Sequence, residues 1–159
     1  MSLRDKGSDI IEMLAKNEGA VAQLYSAYAD RFLEDKNFWS GLAAEEIDHA
    51  GELRKLCEIA GKGDLHISEG RFNITAISTF SSYLEKESEP DRVKASSLIN
   101  ALSVAVHIEE SMIEHKFFDV FETDSVELRH VLLNLAAETK RHLEQVRQMW
   151  NEHRQSASS

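Results

Sequence analysis

The sequence predicts an all-α protein in which four long helices form a bundle of two antiparallel hairpins joined by a long crossover. Three observations lead to this fold class. Apolar residues recur at spacings of three and four, as on one face of a helix, and never in the strict alternation of a strand. Only seven Gly and one Pro interrupt the 159 residues, which suit one domain. The predicted long helices, at roughly 40 Å each, match the length of a bundle.

Two long helices are expected in the first half of the chain, at about residues 8–34 and 37–60. Ser8 precedes the first apolar stripe, and Asp35 and Asn37 precede the second. Side chains of these types accept hydrogen bonds from the free N–H groups of a first helical turn. The link near Asp35 is short, so the two helices are expected to pack as an antiparallel hairpin.

The second half of the chain is expected to contain a short helix followed by two long ones, at about residues 73–86, 91–122 and 125–152. Pro90 suits a first turn, where its missing N–H costs nothing, and Ser88 is the expected cap before it. Asp124 and Glu127 mark the start of the last helix. A connection of about 30 residues therefore separates the two hairpins, as in bundles with one long crossover.

Charge and composition exclude several classes of function. Asp and Glu number 28 against 18 Lys and Arg, and a net charge of −10 disfavours binding to nucleic acid or to an anionic membrane. No apolar run approaches the roughly 18 residues that span a bilayer. The first residues lack an apolar signal region, so a cytoplasmic location is expected. Cys57 is the single cysteine, which excludes a disulfide framework within the chain.

Polar residues interrupt the apolar stripe of every long helix near its middle. They are Glu18, Glu46 with His49, Glu110, and Thr139 with His142. Several carboxylates buried together would repel one another, whereas a cation among them supplies the missing positive charge. The i, i+3 spacing of Glu46 and His49 puts both on one helix face. Oxygen and nitrogen donors suit iron or manganese, and zinc is an alternative to them. The sequence therefore predicts a buried metal site.

The inward position of the third long helix has two candidates, Glu109 and Glu110. We expect Glu110, because Phe117 and Val120 continue its apolar line. Glu45 and Glu138 are expected to lie in solvent beside the stripes of their helices, although a modest rotation of its helix would bring Glu138 inward.

An internal repeat relates the two halves of the chain. The segment 42–49, LAAEEIDH, matches the segment 135–142, LAAETKRH. Glu18 lies 28 residues before Glu46, and Glu110 lies 29 residues before Thr139. On these residues the whole chain resembles the ferritin-like di-iron carboxylate proteins, and most closely those of the rubrerythrin type.

The resemblance implies a ferritin-like fold and a centre of one or two iron ions per chain. Its pattern is a carboxylate on the first helix of each hairpin and Glu-x-x-His on the second. Carried over to this chain, the implied metal ligands are Glu18, Glu46, His49, Glu110, Glu138 and His142. Three further residues are expected to contact these ligands without binding the metal themselves: His107, Tyr25 and Thr139.

The chain departs from the rubrerythrin pattern at two positions. Thr139 stands where the second Glu-x-x-His motif has its Glu, so Glu138 would have to turn inward in its place. Ile113 stands where the rubrerythrin type has an additional carboxylate. The chain also lacks a cysteine-ligated rubredoxin module, so any electron donor is external.

Two functions follow from these observations. The first is an oxidoreductase that reacts with peroxide or dioxygen, or a protein that handles iron. The second is a non-catalytic helical bundle that binds one metal ion or none and has a structural or assembly role. The resemblance also implies a homodimer, and the aromatic residues of the crossover, Phe72, Phe80 and Tyr83, are expected to cover the bundle or a partner.

Overall fold

The computed structural model describes residues 3–60, 66–67, 74–114, 121–122 and 126–158, and almost all of them are helical. The helices are α1 Leu3–Arg31, α2 Lys36–Ala60, α3 Ile74–Glu87, α4 Pro90–Ala95, α5 Leu98–Glu114 and α6 Val126–Ser158. A 3-10 turn, Leu33–Asp35, links α1 to α2. Strands β1 His66–Ile67 and β2 Phe121–Glu122 form a short antiparallel pair, with His66 opposite Glu122. The predicted all-α class is confirmed for the described residues, apart from this pair.

The expected third long helix, 91–122, is wrong in its bounds. Helix α4 ends at Ala95, and Ser96 has an extended backbone with φ −76° and ψ 138°. The Ser97 hydroxyl then accepts a hydrogen bond from the backbone N–H of Asn100 at 3.2 Å, which caps a new helix, α5. Two successive serines favour such a break, because their hydroxyls compete for backbone hydrogen bonds. Phe121 and Glu122, expected in the helix, pair instead as strand β2.

Other boundary predictions have mixed outcomes. Pro90 occupies the first turn of α4 as expected, but the N-cap residue is Glu89 rather than Ser88, and its side chain makes no capping hydrogen bond. Phe72, Phe117, Val120 and Asp124, on which other expectations rested, lie outside the described residues.

The long helices pack as two antiparallel pairs, α1 with α2 and α5 with α6. In the first pair, the later part of α1 meets the start of α2, since Tyr25 packs against Trp39 with ring centroids 5.6 Å apart. The earlier part of α1 meets the later part of α2, where Glu12 lies 3.9 Å from Arg54. In the second pair, Trp150 donates a hydrogen bond to Ser103 at 2.8 Å. Helices α2 and α6 join the two pairs, and α3 packs against α1.

The core is apolar except at one position along the helix axes, where polar side chains are buried; this position is called the polar level. Tyr25, Tyr28 and Trp39 are fully buried near one end of α1 and α2, and the rings of Tyr28 and Trp39 meet edge to face at 4.9 Å. Burying each such ring stabilises the fold by about 2 kcal/mol. Phe80 of α3 is buried in the same core, so this crossover aromatic covers the chain's own helices. None of the described helices combines the length and apolar character required to cross a membrane.

Candidate metal centre

Four helices deliver polar side chains to one buried level. These residues are Glu18 of α1, Glu46 and His49 of α2, Glu109 of α5, and Thr139 and His142 of α6, each 3% exposed or less. The i, i+3 spacing within α2 and within α6 places both polar members of each helix on the inward face. The sequence expectation that polar residues interrupt the core at this level therefore agrees with the burial of these side chains.

Glu46 lies between the two imidazoles. Its Oε1 atom is 2.8 Å from Nδ1 of His142, and its Oε2 atom is 3.5 Å from Nδ1 of His49. The two rings stack with centroids 5.3 Å apart. One donor atom from each of the three residues lies within 4.8 Å of the others, close to the roughly 4 Å between opposite ligands of one transition-metal ion. These three residues could hold a metal ion.

A carboxylate from the first helix of each pair flanks this group. Glu18 Oε2 is 3.9 Å from Nδ1 of His49, and Glu109 Oε1 is 3.7 Å from Nδ1 of His142. Each imidazole thus directs Nδ1 towards the carboxylate of its own half and towards Glu46. The hydroxyl of Tyr25 donates a hydrogen bond to Glu109 at 2.9 Å, so Tyr25 holds one of the two flanking carboxylates.

The carboxylates of the cluster have opposing pKa shifts. Burial, together with the charge of Glu46, raises the pKa of Glu18 well above its ordinary value. The same two causes raise the pKa of Glu109 to about 7. Burial also acts against ionisation of Glu46, but its contacts with Glu18, His142 and His49 outweigh burial and lower its pKa. Glu46 is therefore the carboxylate that keeps its charge.

The imidazoles are shifted towards the protonated form. Burial would lower the pKa of His142, but its interactions with the carboxylates of Glu109 and Glu46 raise it to about 10. The pKa of His49 is also raised, because contacts with Glu46 and Glu138 outweigh burial. Without a metal, protons on these rings supply the positive charge that the carboxylates require.

Several donor atoms in the cluster lack a hydrogen-bond partner although they are buried. They are Oε2 of Glu18, Oε2 of Glu46, Oε2 of Glu109 and Nδ1 of His49. A buried polar atom without a partner costs about 1–3 kcal/mol, so four at one level need compensation. A bound cation would satisfy oxygen and nitrogen donors together, and the residues present therefore fit a metal ion.

Two further carboxylates contact the outer edges of the imidazoles. Glu138 of α6 is hydrogen-bonded to Nε2 of His49, and Glu45 of α2 is hydrogen-bonded to Nε2 of His142. Arg141 also donates to Glu45, at 3.0 Å. Sequence reasoning missed the role of Glu45, which was expected to lie in solvent.

Glu138, which the resemblance implied as a metal ligand, does not turn inward. Its side chain is 34% exposed and contacts the edge of His49 that is remote from Glu46. Thr139 and His142 share the inward face of α6, and successive residues of a helix are about 100° apart, so Glu138 faces α2 instead. Buried Thr139 donates its hydroxyl to the carbonyl of Leu135 at 2.9 Å and satisfies its own helix.

The preference for Glu110 over Glu109 is also wrong. The Glu110 side chain is 43% exposed and accepts a hydrogen bond from Arg147 at 2.5 Å. The buried apolar residues of α5 are Ala101, Leu102, Ala105, Ile108 and Met112. Glu109 lies on this face one turn after Ala105, whereas Glu110 is rotated away from it. This apolar line is the sequence signal that would have favoured Glu109.

His107 does not contact the buried cluster in the way expected. It is exposed, and its ring meets Tyr83 edge-on at 4.9 Å. With Glu110, Arg147 and Trp150 it borders a surface cavity of about 440 Å³ between α5 and α6. His107 therefore lies on the side of α5 that carries Glu110, away from Glu109.

Comparisons of the chain with protein-family models, with curated proteins and with solved structures find no match. The functional argument therefore rests on the geometry and chemistry of the cluster.

Proposed function

We propose that the chain is a ferritin-like, rubrerythrin-type four-helix bundle whose centre binds iron, and that it acts as an oxidoreductase towards peroxide or dioxygen or handles iron. The observation that carries this proposal is a buried set of three carboxylates and two imidazoles, supplied by four helices. Four of its donor atoms lack a hydrogen-bond partner. Carboxylates buried in an apolar core require compensation of their charge, and a bound cation would supply it while also satisfying the unpartnered donor atoms.

The residues divide into a central group and a flanking group. Glu46, His49 and His142 are close enough together to bind one ion. Glu18 and Glu109 lie on either side and would add carboxylate oxygens. This mixed set of donors favours iron or manganese, and zinc is compatible with it.

The protein would contribute binding and shielding, whereas the metal would carry the redox chemistry. Bound iron supplies electron transfer to peroxide or dioxygen. Glu46 and both imidazoles would hold the ion, and Tyr25 would orient Glu109 through its hydrogen bond. The surrounding apolar side chains exclude bulk water, which strengthens the electrostatic interactions of the buried groups.

A second candidate function is a bundle that binds a single ion or none and has a structural or assembly role. Thr139 favours it, because a hydroxyl bonded to Leu135 replaces the carboxylate expected from the repeat. Among the described residues, Glu46 then remains as the carboxylate between the two imidazoles. An external electron donor and a homodimer remain predictions that belong to the first candidate.

Metal loading tests both candidates. The purified protein is titrated without oxygen with Fe²⁺, Mn²⁺ and Zn²⁺, and bound metal per chain is measured by elemental analysis. We expect one or two iron ions per chain, loss of binding in Glu46→Gln, and unchanged binding in the matched control Glu110→Gln. The loaded protein is then mixed with hydrogen peroxide and followed by near-ultraviolet absorbance.

The outcomes separate the candidates. Iron that is oxidised faster on the protein than in buffer supports the oxidoreductase. One bound ion without faster oxidation supports the second candidate. Failure to bind any of the three metals overturns the metal centre itself.

A further inference from the structure

We propose that Glu45 and Glu138 are positioning residues that clamp the two imidazoles, each acting on the histidine of the opposite half of the chain. This inference rests on the proposed metal centre, since it concerns how the nitrogen ligands are aimed. Glu138 of α6 contacts Nε2 of His49 on α2, and Glu45 of α2 contacts Nε2 of His142 on α6. The two contacts are reciprocal.

The internal repeat supports the same pair of residues. In the two matching segments, LAAEEIDH and LAAETKRH, the fourth position is Glu in both halves, at Glu45 and Glu138. The fifth position, Glu46 in one half, is Thr139 in the other. The repeat therefore retains the carboxylate that contacts the opposite histidine and loses one that would have faced the centre.

Imidazole chemistry gives these contacts a role. A neutral imidazole carries one N–H donor and one acceptor nitrogen, and a hydrogen bond at one nitrogen decides which is which. A carboxylate at Nε2 holds the proton there and leaves the lone pair on Nδ1. In this protein, Nδ1 of His49 and Nδ1 of His142 both face Glu46. Once a metal ion replaces the proton on each Nδ1, the clamps would therefore leave the nitrogen lone pairs directed towards the centre.

The two clamps are unequal in their surroundings. Arg141, on the same helix as His142, donates to Glu45 at 3.0 Å. Partial burial acts to raise the pKa of Glu45, but its interaction with His142, together with that with Arg141, lowers it. Carboxylates of this kind behind a metal-binding histidine commonly improve metal affinity by about 10–100-fold. Both clamps also join α2 to α6, one helix from each pair.

Cobalt-loaded protein provides the test. Paramagnetic Co²⁺ shifts the proton signals of its ligands, and the Nε2–H of a bound histidine appears as a shifted signal that disappears in D₂O. We expect two such signals in the unchanged protein. Glu45→Ala should move or abolish one signal and Glu138→Ala the other, each with about 10-fold or greater loss of Co²⁺ affinity.

Conservative variants and a control separate positioning from folding. Glu45→Gln and Glu138→Gln keep an acceptor oxygen at the ring, so they should retain the signal at a changed position and lose less affinity than the Ala variants. Glu110→Gln, a surface carboxylate paired with Arg147, should change neither property. If an Ala variant does not fold, as judged by circular dichroism, its Gln partner decides the question.

Failure of the clamps differs from failure of the metal centre. If the unchanged protein binds Co²⁺ and the Glu45 and Glu138 variants keep both signals and the full affinity, the clamp proposal is wrong and the metal centre stands. If the unchanged protein binds no Co²⁺, both proposals are overturned.

Discussion

Single residues of the cluster differ sharply in what they contribute, although all are buried acids or imidazoles. Glu46 stays ionised because Glu18 and the two histidines surround it, whereas Glu18 has a raised pKa because burial and the charge of Glu46 act on it together. Two carboxylates on facing helices thus have opposite protonation preferences. Their substitutions should have opposite consequences for the metal-free protein.

We expect Glu18→Gln to leave the stability of the metal-free protein at pH 6 within about 0.5 kcal/mol, because glutamine resembles the protonated acid. Glu46→Gln should lower the free energy of unfolding of the metal-free protein by about 3 kcal/mol, because it leaves the His142 imidazolium without its closest buried partner. Both should weaken metal binding. Urea unfolding of the two metal-free variants measures the difference, and equal losses of stability would contradict it.

The pH dependence of the metal-free protein follows from the same residues. The pKa of His142 rises from 6.5 to about 10 on folding, so its stabilisation is complete below about 6.5 and is lost as the pH rises through about 10. The pKa of Glu109 rises from 4.5 to about 7 on folding. Its contribution to stability is therefore also lost as the pH rises, but at lower pH than that of His142. The free energy of unfolding should therefore fall between pH 6 and pH 10. Urea titrations at a series of pH values across this range measure the free energy of unfolding. In His142→Gln, the decrease at the upper end of the pH range should become smaller.

At the scale of secondary structure, the break between α4 and α5 matters most. Ser96 and Ser97 end one helix and begin the next, and the new helix presents Ala105, Ile108 and Glu109 to the core. Prediction of one continuous helix extended its apolar line to residues beyond Glu114 and so chose Glu110. A one-residue difference in register rotates a side chain by about 100°, enough to exchange a buried carboxylate for an exposed one.

The cap of α5 is open to a direct test. Ser97→Ala removes the hydroxyl that accepts the N–H of Asn100, so we expect a loss of about 1 kcal/mol in the free energy of unfolding. Ser97→Asp keeps an acceptor and should restore most of the stability. Chemical denaturation measures both variants. A loss of the same size in Ser97→Asp would show that the hydrogen bond is not responsible.

At the scale of the whole molecule, the polar level links helices that otherwise meet mainly in pairs. Contacts within the α1–α2 and α5–α6 pairs are extensive, whereas side chains of the cluster cross between the pairs through Glu46 and His142. A cation at this level would bind residues of both pairs at once. Metal binding should therefore be coupled to the stability of the complete fold.

Metal removal should lower stability without unfolding the chain. At a free metal concentration 100 times the dissociation constant, binding stabilises the folded state by about 2.7 kcal/mol. We expect a higher Tm with metal and a return to the metal-free Tm after chelation, with helix content retained because the apolar core remains. Thermal circular dichroism measures both properties. His49→Ala should lose the metal-dependent part of the Tm, and an equal rise in that variant would contradict binding at this cluster.

The amino-acid sequence by itself determined the all-α class, the approximate positions of α1, α2 and α6, and the level at which polar residues enter the core. These features depend on local spacing: the i, i+3 relation of Glu46 and His49 holds in any helix, whatever it packs against. The tertiary structure decided between Glu109 and Glu110, and it alone showed that Glu45 and Glu138 each contact the histidine of the other half. These outcomes depend on how far each helix is rotated about its axis, and that rotation is set by packing between helices distant in the chain.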